Sequence, residues 1–537
     1  MIDPTLSQQW QDLKSHSSLL EGITLSDLLT NSEQRSKSLS FEIGDLFVDF
    51  SKQKVTNETI DLLVALANEV DLSEKIDDLF SGEVVNLSEN RPALHTALRA
   101  SKASSDDVNL VISDALKKAY DFSSSIRTEK WLGVTGKPIT AIVNIGIGGS
   151  HLGPLLVNTA LRSYGEQNIT CRFISNIDPM HIDSHLSSLK PESTLFIINS
   201  KSFTTSETIT NAEIALQWAQ NALGDEKDLL KQHFIAVTAN PEPARGFGIP
   251  ENNIFPTWDW IGGRFSICSS VSLSGMIAIG HENFERMLDG CQSIDEHFRT
   301  TELSKNIPVL MALIAVWNRN FLGHTNHAVI PYSTDLTHFP EYLQQLEMES
   351  NGKKIRHDGN RVTTQTSPVV LGGIGTDAQH SFFQLLHQGT TIIPSDFIAF
   401  CMPSYEAKNL SKEIVLKQHE TLLANCFAQS KALAIGSGSE PEPFSSDGNR
   451  PSTTILASRL NPFTLGQLIA IYEHKVFTMG VIWQINSFDQ WGVQLGKSLA
   501  KIIKSDLVKA KGYSNHDSST EILLSQYHKS LESRDSG

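Results

Sequence analysis

From residue 139 onward the chain repeats one pattern: a short β-branched run, a loop of small residues, then residues spaced as in a helix. The runs fall at 139–145, 194–199 and 233–238. Such alternation restricts the fold to a parallel sheet covered by helices, because parallel strands need long crossovers and bury both faces. A second series offers strand candidates at 328–332, 367–371 and 390–394, separated by helical stretches such as 380–387. At 537 residues the chain also exceeds what one compact core accommodates. Two wound α/β domains are therefore expected.

The first 106 residues read differently. They are polar and helical, with apolar residues at helix spacing in segments such as 58–70, and no strand-like run interrupts them. This stretch is expected to pack onto another part of the chain. Residues 436–449, GSGSEPEPFSSDGN, read as a solvated excursion. The tail, 511–537, is polar with one amphipathic segment at 519–527. The apolar stretch 307–317 falls well short of the roughly 20 residues that span a bilayer, so it reads as a buried helix.

Charge narrows the ligands. A net charge of −16 opposes nucleic acid and anionic membrane surfaces, so an anionic ligand needs a locally positive site. Five scattered cysteines show no Cys-x-x-Cys pair, and the first ten residues lack the basic start and apolar core of a signal peptide. A reducing, cytoplasmic setting is expected.

Residues 141–156 read AIVNIGIGGSHLGPLL, a strand running into Gly146, Gly148, Gly149 and Ser150 and then into a helical pattern. Glycines let backbone N–H groups approach an anion, and a helix start adds partial positive charge. By itself such a turn is also a plain tight connection. The next strand ends in Ser200, Lys201, Ser202, Phe203, Thr204, Thr205 and Ser206, again before a helix. Hydroxyls there serve as N-caps in many helices, but so many beside a lysine, at the sheet edge where wound folds bind ligands, point to a phosphate. Neither loop has the G-x-x-x-x-G-K-[ST] or G-x-G-x-x-G pattern of nucleotide sites, so a simple phosphomonoester is expected.

Six blocks occur in order along the chain: GIGGSHLGP from Gly146, SKSFTTSET from Ser200, DWIGGRFSICSSVS from Asp259, EMESNGK from Glu347, DAQHSFFQLLHQGT from Asp377 and GVIWQINSFDQWGVQLGK from Gly480. Together they resemble the glucose-6-phosphate isomerase family. The resemblance implies two sugar-isomerase (SIS) domains, each a parallel sheet sandwiched by helices, at 107–280 and 281–500. A helical N-terminal segment, 1–106, and a C-terminal tail, 501–537, would flank them. It implies reversible isomerisation of glucose 6-phosphate to fructose 6-phosphate by ring opening and proton transfer through a cis-enediol, with no cofactor and no metal. It further implies a homodimer in which His380 reaches the site from the partner.

Carried over by position, the resemblance implies a phosphate clamp of Ser150, Ser200, Ser202 and Thr205, served by the glycine loop at Gly148 and Gly149 and with Lys201 nearby. It implies Glu349 as proton-transfer base, Arg264 beside the reacting carbons, His380 and Lys497 at the ring oxygen, and Gln345 and Gln490 as polar contacts. Three positions depart from the family's common wording: Ser202 for threonine, His151 for aspartate and Gln494 for glutamate.

The residues suit that chemistry. Moving a carbonyl from C1 to C2 needs one group that takes a proton from one carbon and returns it to the next. Glu349 ends the helical pattern 339–349, closed by Ser350, Asn351 and Gly352, and Gln345 lies one turn earlier on the same face. Arg264, permanently charged, can stabilise enediol oxygens without taking the proton. The tryptophans at 258 and 260 suggest a partly buried setting, where an arginine needs an anionic partner. His380 can donate a proton near neutrality. Lys497 follows Gln490 by seven residues and aligns with it if the segment is helical, although 489–492 reads equally well as a loop.

Two histidine pairs, His181 with His185 and His324 with His327, are spaced to share a helix face and hold a metal. No H-E-x-x-H motif or compact carboxylate cluster accompanies them. Surface or packing roles are expected instead. Two rival readings stand beside the isomerase: a non-catalytic sugar-phosphate sensor, which has no use for Glu349, His380, Arg264 and Lys497 together, and an isomerase of another sugar phosphate such as mannose 6-phosphate.

Overall fold

The computed structural model describes residues 3–30, 33–100, 107–165, 168–224, 226–405, 409–438, 441–509 and 515–535. The boundary expected at residue 106, Ser439 and Glu440 of the 436–449 excursion, and residues 510–514, 536 and 537 of the tail lie outside these. The chain forms two compact units, Met1–Phe488 and Asp489–Gly537.

Residues 40–49, read above as part of a helical stretch, form a hairpin of β1 (Ser40–Ile43) and β2 (Leu46–Asp49). The expectation of a strand-free N-terminal segment is thus corrected. Phe41 and Ile43 alternate with polar Ser40 and Glu42, and buried Leu46 and Val48 flank the exposed Phe47, around a Gly44–Asp45 turn in which Gly44 supplies a φ of 55°. Four residues per strand between helices are too few to dominate a periodicity reading.

The first sheet comprises β3 (Ala141–Ile145), β4 (Thr170–Ile174), β5 (Thr194–Asn199), β6 (Phe234–Thr238) and β7 (Ile254–Pro256), all parallel, in the order β4-β3-β5-β6-β7. The strands β3, β5 and β6 are buried at every position, as mainly apolar strands covered on both faces require. The two edge strands were not foreseen: β4 carries an arginine and is half open, and β7 is only three residues long.

The second sheet joins β8 (Asn326–Pro331), β9 (Val369–Gly372), β10 (Ser395–Phe400) and β11 (Ser452–Ala457) to the hairpin, in the order β1-β2-β11-β10-β8-β9. The last four strands are parallel among themselves, whereas β2 runs antiparallel to β11, so this sheet is mixed rather than wholly parallel. The strand expected at 390–394 does not form there; β10 begins only after Pro394 and is buried throughout. Residues 380–387 are likewise not one helix but a 3₁₀ turn, Asp377–His380, followed by the helix Phe383–Gln388.

Helices tie the core together. The helix Pro462–Ile482 is buried along almost its whole length and packs against His281–Thr300 and Ile307–Val316. Glycine makes the first crossing close: a Cβ on Gly466 would lie 1.9 Å from the Met287 carbonyl oxygen, and one on Gly290 would lie 1.9 Å from that of Phe463. Ile307–Val316 is the buried helix expected, and among the described residues no helix is long and apolar enough to cross a membrane. Within the second unit, a turn at Trp491–Val493 leads into the helix Gln494–Val508, and a further helix spans Ser518–Asp535.

Candidate active site

β3 and β5 lie side by side in the first sheet, and the chain departs from them to opposite sides: β3 leads to β4, β5 to β6. Where strand order reverses in this way, the two following connections part and leave a crevice beyond the carboxyl ends. The glycine loop and the hydroxyl loop both sit there. A Cβ on Gly146 would approach the carbonyl oxygen of Asn199, the last residue of β5, to 2.9 Å. The buried Asn144 on β3 donates from Nδ2 to the Ser150 carbonyl at 3.0 Å and holds the turn. Gly149 then opens the helix Gly149–Ala160.

In the second loop the Ser200 hydroxyl donates to Thr205 Oγ1 at 3.3 Å, and Ser202 Oγ accepts from the Thr204 hydroxyl at 2.8 Å. The buried Phe203, with a φ of 52°, pins the loop from below. Lys201 does not hang free. Its Nζ donates to the carbonyls of Asp259 and Ile261, each at 3.0 Å, so it fastens this loop to the segment that leads into Arg264. Burial lowers its pKa from the ordinary lysine value, with the Asp259 carboxylate acting in the opposite sense.

That segment turns at Gly263, against which Gly149 packs so closely that a Cβ on Gly149 would fall 2.0 Å from the Gly263 carbonyl oxygen. Only glycine fits. The turn delivers Arg264 into a buried position, 2% exposed. Its Nε donates to Ser350 Oγ at 2.6 Å, its Nη2 to the Ser487 carbonyl at 2.6 Å, and its Nη1 stands 3.3 Å from Glu349 Oε2. The same carboxylate oxygen accepts from Gln345 Nε2 at 3.0 Å. Gln345 in turn closes on the glycine loop, since its Nε2 would lie 3.0 Å from a Cβ at Gly148.

The helix expected at 339–349 is α-helical only over Phe339–Gln344; Gln345–Glu349 form one π turn, and helical backbone continues through Asn351. Ser350, read as a closing residue, is therefore inside the helix, where its hydroxyl holds Arg264. Neither Ser350 nor the Ser487 carbonyl carried a sequence signal, because a serine at a helix end is ordinarily a cap and a carbonyl has no residue signature.

The structure thus brings Gly148, Gly149, Arg264, Gln345 and Glu349 together, with Ser150 in the same loop and Ser200, Lys201, Ser202 and Thr205 in the loop after the neighbouring strand. His380 lies apart from this cluster's bonds. It is exposed at the end of its 3₁₀ turn, and no hydrogen bond or ion pair of the cluster reaches it among the described residues. Gln490 and Lys497 belong to the second unit. Gln490 is non-helical, with φ −153° and ψ 49°, before the Trp491–Val493 turn, and Lys497 sits in the first turn of Gln494–Val508, so the two do not share one helix.

Of the histidine pairs, His181 and His185 do share a helix, with ring centroids 4.8 Å apart. His324 and His327 do not: His327 is on β8, its Nε2 3.0 Å from Asp396 Oδ2. His151, where aspartate is usual, is held neutral; burial, with help from His338 and His181, lowers its pKa to about 4.

The phosphoglucose isomerase family model matches residues 49–524. The chain belongs to the phosphoglucose isomerase family. Among relatives in that family, a glucose-6-phosphate isomerase of Deinococcus deserti is 48% identical over 539 residues, covering 97% of this chain and 98% of the relative. One from Corynebacterium kroppenstedtii is 46% identical over 547 residues, covering 98% of each. A crystal structure of a glucose-6-phosphate isomerase from Chlamydia trachomatis superposes with a TM-score of 0.86 at 34% identity, covering 95% of this chain and 97% of that one.

Proposed function

We propose that this chain interconverts glucose 6-phosphate and fructose 6-phosphate. The observation that supports the reading most directly is the convergence of Arg264 and Gln345 on one oxygen of Glu349, beside two loops suited to a phosphate. The substrate phosphate lies among the hydroxyls of Ser150, Ser200, Ser202 and Thr205 and the N–H groups of Gly148 and Gly149, at the start of a twelve-residue helix whose dipole favours an anion. Lys201 positions the loop and adds positive charge.

Ring opening comes first. His380, supplied by a second copy of the chain, donates a proton to the ring oxygen, with Lys497 beside it. Glu349 then takes the C2 proton, the C1 carbonyl electrons move to oxygen, and Arg264 stabilises the enediolate charge. The O2 hydroxyl proton passes to O1, and return of the carbon-bound proton from Glu349 to C1 completes the ketose. No atom is gained or lost, so the reaction needs no co-reactant. We place the enzyme in the cytoplasm, the reducing compartment that five free cysteines suit.

The test is to incubate chelator-treated protein with glucose 6-phosphate and follow fructose 6-phosphate, for the parent and for Glu349→Gln. Turnover by the parent and its loss in the variant, with sugar-phosphate binding retained, is the expected result. A variant that no longer binds, or a parent that does not turn over, refutes the reading. Activity that persists undiminished in a dilute monomer refutes the role of His380 across an interface.

A further inference from the structure

The π turn that carries Gln345 and Glu349 has a third polar residue, Glu347, pointing the other way. Two residues advance a helix by about half a turn and four bring it nearly round again, so Gln345 and Glu349 share one face while Glu347 faces the core. The residue is 2% exposed, and Oε2 accepts from Lys475 Nζ at 2.9 Å. Lys475 is 1% exposed and belongs to the buried helix Pro462–Ile482.

The pair is tied further. Lys475 Nζ also lies 3.2 Å from His327 Nδ1, and His327 Nε2 lies 3.0 Å from Asp396 Oδ2, which accepts from the Tyr472 hydroxyl at 2.8 Å. An ammonium can only donate, so His327 Nδ1 accepts and Nε2 carries the proton toward Asp396. The chain of contacts joins the π turn to the core helix and, through β8 and β10, to the second sheet.

We infer that the buried Lys475–Glu347 ion pair is a positioning device: it sets the rotation of the π turn and thereby the place of the Glu349 carboxylate against Arg264. A buried ion pair is weak evidence of stabilisation but restricts geometry strongly, since either charge left alone in the core is costly. A π turn is an uncommon single-turn departure from α geometry, and here its outer face holds Glu349 Oε2 3.3 Å from Arg264 Nη1. Glu347 and Lys475 are both buried, so they act through the π turn, and the inference rests on Glu349 being the base.

Two variants test it beside Glu349→Gln. Glu347→Gln keeps the shape and removes the charge; the double variant Glu347→Leu/Lys475→Met replaces the pair with apolar groups, which spares the fold the cost of an orphan charge. The expected result is a ten- to hundred-fold lower kcat per folded molecule, KM for glucose 6-phosphate and binding of inorganic phosphate within about three-fold, and a larger isotope effect with 2-deuterated substrate. If Glu347→Gln does not fold, the double variant carries the test. Parental kcat and isotope effect in either folded variant, while Glu349→Gln is inactive, overturn the positioning role alone. Retained turnover in Glu349→Gln overturns the base reading, and this inference with it.

Discussion

The guanidinium of Arg264 stands 3.3 Å from the carboxylate of Glu349, the first side chain 1% exposed and the second 26%. The arginine is walled in by Ser350 and the Ser487 carbonyl, while the carboxylate keeps one side open to the crevice. A fixed cation beside an accessible base is suited to a reaction in which negative charge appears on substrate oxygens as a proton leaves carbon.

Arg264→Lys keeps the charge but cannot serve Ser350, Ser487 and Glu349 at once. We expect kcat to fall about 100-fold or more, the scale of losing one preorganised donor to a developing anion. The unpaired Ser487 carbonyl should cost about 1–3 kcal/mol of stability. Steady-state kinetics with urea unfolding of the same protein check both.

Gly149→Ala places a methyl group inside the Gly263 peptide, 2.0 Å from its oxygen. The glycine loop and the Arg264 turn must then separate, and activity should fall by at least two orders of magnitude, because a displacement of about 1 Å at a reacting pair is enough for that. Gly246→Ala is the control: it lies in the helix Pro241–Phe247 with nothing within 4 Å of a new Cβ. That change should leave kcat alone and add up to about 1 kcal/mol of stability.

Ser200→Ala and Thr205→Val each remove one hydroxyl from the loop after β5. A hydrogen bond to a charged group contributes about 1.5–3 kcal/mol, so each should raise KM for the sugar phosphate roughly ten- to hundred-fold and leave saturated turnover within a few-fold. Titration with inorganic phosphate should show the same weakening, which separates a phosphate clamp from a merely structural loop.

Three partly buried histidines, His151, His297 and His324, have pKa values that burial lowers to about 4. At His297 the reason is visible: Nε2 accepts the Ile307 N–H at 3.0 Å, which requires an unprotonated nitrogen. A base whose folded pKa is depressed binds protons more readily when unfolded. Its contribution to stability is therefore whole above the unfolded value near 6.5 and is lost as pH falls toward 4. Near pH 5 the three sites together should give a slope of at most about 3.5 kcal/mol per pH unit. His324→Asn should reduce that slope by about a third, measured by urea unfolding between pH 7 and 5.

Most of the first sheet was readable because its central strands are mainly apolar runs ending in small residues. The edge strands were not, because an edge tolerates Arg172 or a length of three residues. The hairpin Ser40–Asp49 had its signal in Gly44 and Asp45 but no room to express a period. Around Glu349 the residue types could be named from their blocks, yet the interruption of α geometry at Gln345 could not, since nothing in QLEME distinguishes a π turn from an α turn.

The order of residues along the chain settled the class of fold, the two loops beyond β3 and β5, and the chemical inventory offered to a sugar phosphate, because strand period, glycine placement and side-chain type are local properties. Only the tertiary structure decided that Arg264 meets Glu349, that Lys201 binds carbonyls at Asp259 and Ile261, and that Glu347 is anchored by Lys475. Those pairs are separated by 58 to 128 residues in sequence. Their meeting depends on how two sheets and a buried helix pack, which no local pattern encodes.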